Sequence, residues 1–140
     1  MRLARRLPLA LWAGVLVSVG GLLAPLLFEA LPDRASAGHV AGELFRRTTL
    51  LSLCLALALL LLGTAAGPAG SRFLRLAPLG PALLLAVSDY AVHPLIEQAR
   101  LGGGAGSRAF MLWHSVATGL YGLATIAAVA LLVAELRRRD

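Results

Sequence analysis

Asp89, His93 and Glu97 follow one another at intervals of four residues, so on a helix they form one stripe of two carboxylates and an imidazole. Such a stripe can hold a proton, a cation or a metal. A second set, His114, Thr118, Tyr121 and Thr125, is spaced by four, three and four residues and also shares one helical face. If the two faces meet, Asp89, His93 and His114 converge inside a bundle near one of its mouths. A carboxylate near an imidazole favours the imidazolium while burial opposes it, so spacing alone does not fix the charge state. His39 and Glu43, again four apart, form a secondary pair, and Glu29 precedes them in the same connection. The bland reading of the first group is structural. In it, Asp89 pairs with His93 or an arginine, Tyr121 and the threonines bond between helices, and His114 anchors at an interface beside Trp113.

No complete catalytic set accompanies these residues, and no catalytic residue is assigned. There is no serine, histidine and acid arrangement, and the glycine-rich 101–107 stretch, LGGGAGS, lacks the lysine of a phosphate loop and follows no strand. It reads as a flexible connector. For metals, HxxxH and ExxH spacings and Met or Cys clusters are missing. No cofactor is therefore the first expectation, with haem or a transition metal on His93 and His114 as the lesser alternative. Cys54 is the sole cysteine, which excludes an internal disulfide and reads as a small buried hydrophobe.

The elements that position these groups are apolar. Hydrophobic residues make up 59% of the 140, charged residues 14%, and mean hydropathy is +0.81. That balance describes one membrane domain covering 1–140 and not a soluble one. Transmembrane helices are expected at about 7–28, 48–66, 76–97 and 109–136, giving an all-α, integral membrane four-helix bundle of two antiparallel hairpins. The third is the informative one, because the apolar run from Leu76 to Val87 is too short to cross about 30 Å of hydrocarbon at about 1.5 Å per residue. To span, it must carry Asp89 and His93 into the membrane, where ionisable groups mark function by default. Small residues at Gly14 and Ser18, and at Gly119 and Gly122, suit close helix packing, and Gly20 and Gly21 thin the first helix further, so that another helix can approach there. Between the first two spans, AGHVAGELF is expected to form a short interfacial helix, and GPAGSRFLR a turn carrying Arg72 and Arg75.

All 13 basic residues are arginine, which with the Ala, Leu and Gly bias suggests a GC-rich bacterial genome. They flank apolar runs and do not interleave with aromatics, so nucleic acid is not an expected partner. Eight lie at the termini and in the second connection, and five in the other two connections. The positive-inside rule then places both termini in the cytoplasm of a bacterial inner membrane, with the Asp89 group toward the outer face. Expected partners are the bilayer and either a second copy or a membrane-complex subunit.

The hairpins also echo each other. Pro25-Leu26-Leu27-Phe28-Glu29 ends the first helix as Pro94-Leu95-Ile96-Glu97 ends the third, Phe45 precedes the second as Phe110 opens the fourth, and Thr49 pairs with His114. A duplication of this kind has its pseudo-twofold axis along the membrane normal. Finally, APLLFEALP, AGELFRR, and Pro94, Leu95, Ile96 and Arg100 followed by Phe110, Leu112, His114 and Ser115 resemble a known family. It is the domain-of-unknown-function family of small four-helix membrane proteins related to transmembrane protein 205, DUF4149-like. The resemblance spans roughly 12–134 and implies a compact four-helix membrane protein with no assigned activity. Around Asp89, Tyr90 and His93 the chain departs from that pattern, in which an uncharged polar residue precedes the proline. The functional expectation is handling of a small solute, ion or proton at the polar cluster. Support of a membrane complex, or haem or metal binding, are the alternatives.

Overall fold

A backbone in lipid must satisfy its own hydrogen bonds, and a helix is the solution open to a single apolar segment. The computed structural model describes residues 2–65 and 75–137, and these form helices, with short turns at 31–33 and 104–107 and no strand among the described residues. Four helices are long and apolar enough to cross a membrane: α1 (Leu3–Ala30), α2 (Arg34–Ala65, of which Arg34–Gly63 is the candidate span), α3 (Leu79–Gly103) and α4 (Arg108–Arg137). The shortest has 25 residues, about 37 Å of helix, which exceeds the hydrocarbon thickness. AGHVAGELF is no separate interfacial helix; it is the first part of α2, where buried Ala37 and Ala41 pack inward. The Gly/Pro turn with Arg72, and Arg138 and Arg139, lie outside the described residues.

Pro25 of α1 and Pro94 of α3 are absorbed in the same way, whereas Pro8 lies in regular α-helix nearer the start of α1. An interior proline lacks the N–H its turn needs, and its ring crowds the carbonyl four residues back. In α1 the five residues Val19–Leu23 widen into a π-turn, the Ala24 N–H bonds to the Val19 carbonyl, and Pro25 follows. In α3 the five residues Ser88–Val92 do the same, the His93 N–H bonds to the Ser88 carbonyl, and Pro94 follows. The proline-linked echo seen in sequence is thus matched by a shared backbone distortion. The Thr49 and His114 pairing is not matched in burial, since Thr49 is buried and His114 exposed.

The turns of the hairpins are capped. At 31–33, Asp33 accepts from the Ser36 N–H and the Ser36 hydroxyl, both at 2.7 Å, and starts α2. At 104–107, Gly104 adopts φ +76°, closing α3 by donating its N–H to the Arg100 carbonyl at 2.9 Å. Ser107 then caps α4 by accepting from the Phe110 N–H at 3.2 Å. The connector expected to be flexible is therefore a short capped turn, with Leu101 to Gly103 still helical.

The helices form a ring in which α1 and α3 each pack against both α2 and α4. Leu9, Trp12 and Leu16 of α1 meet Ala56 and Leu59 of α2, Ala82 and Leu85 of α3, and Ala124 and Ala128 of α4. All of these lie in the half of the bundle nearer the termini. Thr48, Thr49 and Ser52 are buried midway along α2, and nearer the hairpin turns Ala37, Ala41, Val92 and Ile96 are buried. Outward, large apolar residues such as Leu61, Leu83, Leu123 and Ile126 stay exposed. An exposed apolar surface around a helical bundle is compatible with a lipid surrounding.

Candidate functional site

The candidate site is built from the α3 π-turn and the facing part of α2. Asp89 is half-buried, and its Oδ2 atom is sealed from solvent with no hydrogen-bond partner. The charged groups within electrostatic reach of it are His93 on its own helix and Arg46 and Glu43 on α2. His93 is half-buried and turns toward α2, where a Cβ at Gly42 would stand 3.3 Å from its Nε2. Gly42 is therefore the small residue that admits the imidazole.

Glu43 gathers both neighbouring arginines. It accepts from Arg46 Nε at 3.1 Å and Nη2 at 3.4 Å, and from Arg47 Nε at 2.8 Å. These residues follow Glu43 by three and four positions, the spacing at which helical side chains meet. Glu43 and Arg47 also line a surface hollow of about 300 Å³ together with His39, Val40 and Leu44. His39 and Glu43 do share a face, and that face opens outward beside the Asp89 group. Glu29 is exposed at the end of α1.

The remaining predicted residues are placed elsewhere. Glu97 binds Arg100 on its own helix at 2.7 Å, so the stripe from Asp89 does not extend to it as an open carboxylate. His114 is exposed and stacks on Phe110, with ring centroids 5.7 Å apart and planes 8° from parallel. Asp89, His93 and His114 do not converge: among the described residues no three His, Cys, Asp or Glu side chains gather to hold a metal. Of the α4 set, Tyr121 turns inward, toward α1 and α2 and not toward the Asp89 stripe. Thr118 and Thr125 donate to the His114 and Tyr121 carbonyls at 2.9 Å, which ties them to their own helix and not across the bundle.

Tyr121 sets its ring edge-on to Phe45 of α2 at 4.9 Å and donates its hydroxyl to the Leu16 carbonyl of α1 at 2.9 Å. The Gly20 N–H lies against the same hydroxyl. In an unbroken α-helix, Leu16 and Gly20 would bond to each other. The tyrosine hydroxyl has entered the ladder at the π-turn and stands between them. A Cβ at Gly20 would fall 2.6 Å from Tyr121 Cε1, so only glycine allows this approach.

Close packing is accordingly at Gly20 and Gly42, and not at the paired small residues expected from sequence. Gly14, Ser18 and Gly119 are exposed, Gly122 is half-buried, and nothing stands within 4 Å of a Cβ placed at any of the three glycines. Cys54 is exposed as well, not buried. One residue escaped the sequence reading altogether. Glu135 is only 7% exposed in the last turn of α4. It lies at the end of the bundle where Arg5 and Arg75 both border Gly63. A lone acid just before three arginines was the available signal.

A domain-of-unknown-function family model, DUF4149, matches residues 7–105, which takes in both π-turns and the whole Asp89 group. The chain belongs to the DUF4149 family. The match includes α1, α2 and α3, while Tyr121 and His114 lie beyond it. No curated protein and no solved structure matches the chain. The DUF4149 description carries no activity, so the reading of function rests on the geometry.

Proposed function

We propose that this DUF4149 protein handles a small solute, an ion or a proton at the Asp89 and His93 cluster, from a bacterial inner membrane with both termini cytoplasmic. The observation that carries the reading is the sealed, unpartnered Oδ2 of Asp89 within a helix able to span the bilayer. Burying a charge without a partner is costly, and intramembrane acids that persist face cavities or moving species. Support also comes from the neighbouring π-turn, since such bulges mark functional positions in helices.

The reading predicts a flux that depends on Asp89. Vesicles containing the purified chain should conduct at least one of a panel of protons, alkali cations and small polar solutes. Asp89→Asn should remove that conductance while leaving helicity and yield unchanged. Equal flux from both proteins across the whole panel would defeat it.

A second reading, a subunit that supports a membrane complex or pairs with its own copy, is favoured by α4. Only 11% of its span is buried, against 22–28% for the other three helices. Site-directed photocrosslinking from Ile126 and Ala130 in cell membranes would yield protein adducts under this reading, and lipid adducts alone would reject it.

A further inference from the structure

The two proline-linked π-turns hold matching places in the two hairpins, yet their openings are filled differently. Gly20 stands five residues before Pro25, and Asp89 stands five residues before Pro94. At Gly20 a neighbouring helix supplies the group that enters the turn, the Tyr121 hydroxyl, which donates to the Leu16 carbonyl. At the matching place in α3 the Leu85 carbonyl is reached by the Ser88 backbone N–H instead. A carboxyl group rises from the turn itself, and its inner oxygen is sealed without a hydrogen-bond partner.

The geometry points to Asp89 as a proton-carrying site. This rests on the function proposed above and narrows it to one species, the proton. Carrying a proton removes the charge that the sealed oxygen would otherwise hold without a hydrogen-bond partner. Arg46, the nearby guanidinium, is already engaged by Glu43 through two contacts. Metal cations need several converging oxygen or nitrogen ligands, and among the described residues no three His, Cys, Asp or Glu side chains converge. A proton needs one.

In the step itself, the carboxyl O–H bond of Asp89 breaks and a new O–H bond forms on a water molecule, giving hydronium and a carboxylate. The electron pair of the broken bond stays on Asp89, facing His93 and Arg46. The reverse transfer reloads the site, and water is the sole co-reactant.

The test uses the full chain in vesicles of phosphatidylethanolamine and phosphatidylglycerol enclosing a pH-sensitive dye, with the membrane potential clamped by potassium and valinomycin. An imposed pH gradient should collapse faster than in protein-free vesicles. Asp89→Asn should return the rate to the protein-free value, and Asp89→Glu should keep most of the wild-type rate. In detergent, infrared difference spectra on changing pH should contain a protonated-carboxyl band that is lost in Asp89→Asn, a readout that does not need transport. Equal gradient collapse in wild type and Asp89→Asn overturns the assignment. An alkali-cation or solute flux that requires Asp89, without proton flux, overturns it too but leaves the broader function standing. No Asp89-dependent flux of any kind removes both.

Discussion

Two side chains decide most of the chemistry described above, and they are opposites in how well they are satisfied. Tyr121 has a carbonyl acceptor for its hydroxyl and an aromatic edge contact for its ring. Asp89 keeps one oxygen sealed and unpaired. Removing the tyrosine hydroxyl with Tyr121→Phe leaves the Leu16 carbonyl without its donor and should cost about 1 kcal/mol, read as an earlier unfolding midpoint in detergent. Gly20→Ala should cost more, about 1–3 kcal/mol, because the new methyl collides with the tyrosine ring. Gly119→Ala, where a Cβ meets nothing, should be neutral within about 0.5 kcal/mol. If Gly119→Ala proves the more damaging of the two alanine variants, the packing described for α1 and α4 is wrong. Asp33 gives a pH dependence outside the spans. The Ser36 N–H, followed by the Ser36 hydroxyl, holds its carboxyl below the ordinary carboxylate range. The stabilisation by this cap is therefore present above the unfolded-state pKa and fades as pH falls through the lower folded-state value. Asp33→Asn retains an acceptor and should flatten that acid limb of the melting curve, while an unchanged limb would assign it to other groups.

The elements show what periodicity can and cannot reveal. Helix existence was legible because four apolar stretches have no other way to satisfy their backbone, and the inclusion of Asp89 and His93 in α3 followed from length alone. The π-turns were not legible. Pro25 and Pro94 announced a disturbance, but a kink, a break and a widened turn share the same sequence signal. Likewise, Gly14 and Gly119 have the spacing of close-packed helices, yet only the rotation of each helix decides which small residue faces a neighbour. That rotation is set by Trp12, Leu16, Leu59 and Leu85 in the core, not by the glycines. The 101–107 stretch misled for a related reason. Glycine permits disorder, and it also permits the positive φ that a tight helix cap requires, which is its use at Gly104. Gly104→Ala should therefore destabilise the α3 to α4 turn by about 1–2 kcal/mol, the cost of left-handed backbone for an L-residue. Gly102→Ala, inside the helix with open space around it, should be stabilising or neutral in the same unfolding assay.

Across the whole molecule, the main apolar core sits toward the termini, and Asp89 stands near the middle of α3. We propose that both termini are cytoplasmic, since four crossings return the chain to its starting side and the arginine distribution favours the cytoplasm there. Reporter fusions at either end should then both be active as cytoplasmic fusions, and an active periplasmic reporter at both ends would invert the molecule without moving the site. Of the residues that spacing singled out, Asp89 and His93 lie on α3 within electrostatic reach of Glu43 on α2, His39 lines a hollow with Glu43, and His114 and Glu97 contact residues of their own helices. Sequence spacing places residues on a face, whereas convergence depends on which faces meet, and Tyr121 of α4 turns toward α1 and α2. The central claim is that Asp89 is the working group of this bundle. Its most direct test is the collapse rate of a pH gradient in vesicles bearing wild type, Asp89→Asn or Asp89→Glu at equal protein content. The account predicts fast collapse for wild type, the protein-free rate for Asp89→Asn and a largely retained rate for Asp89→Glu. Wild-type speed in Asp89→Asn would contradict it.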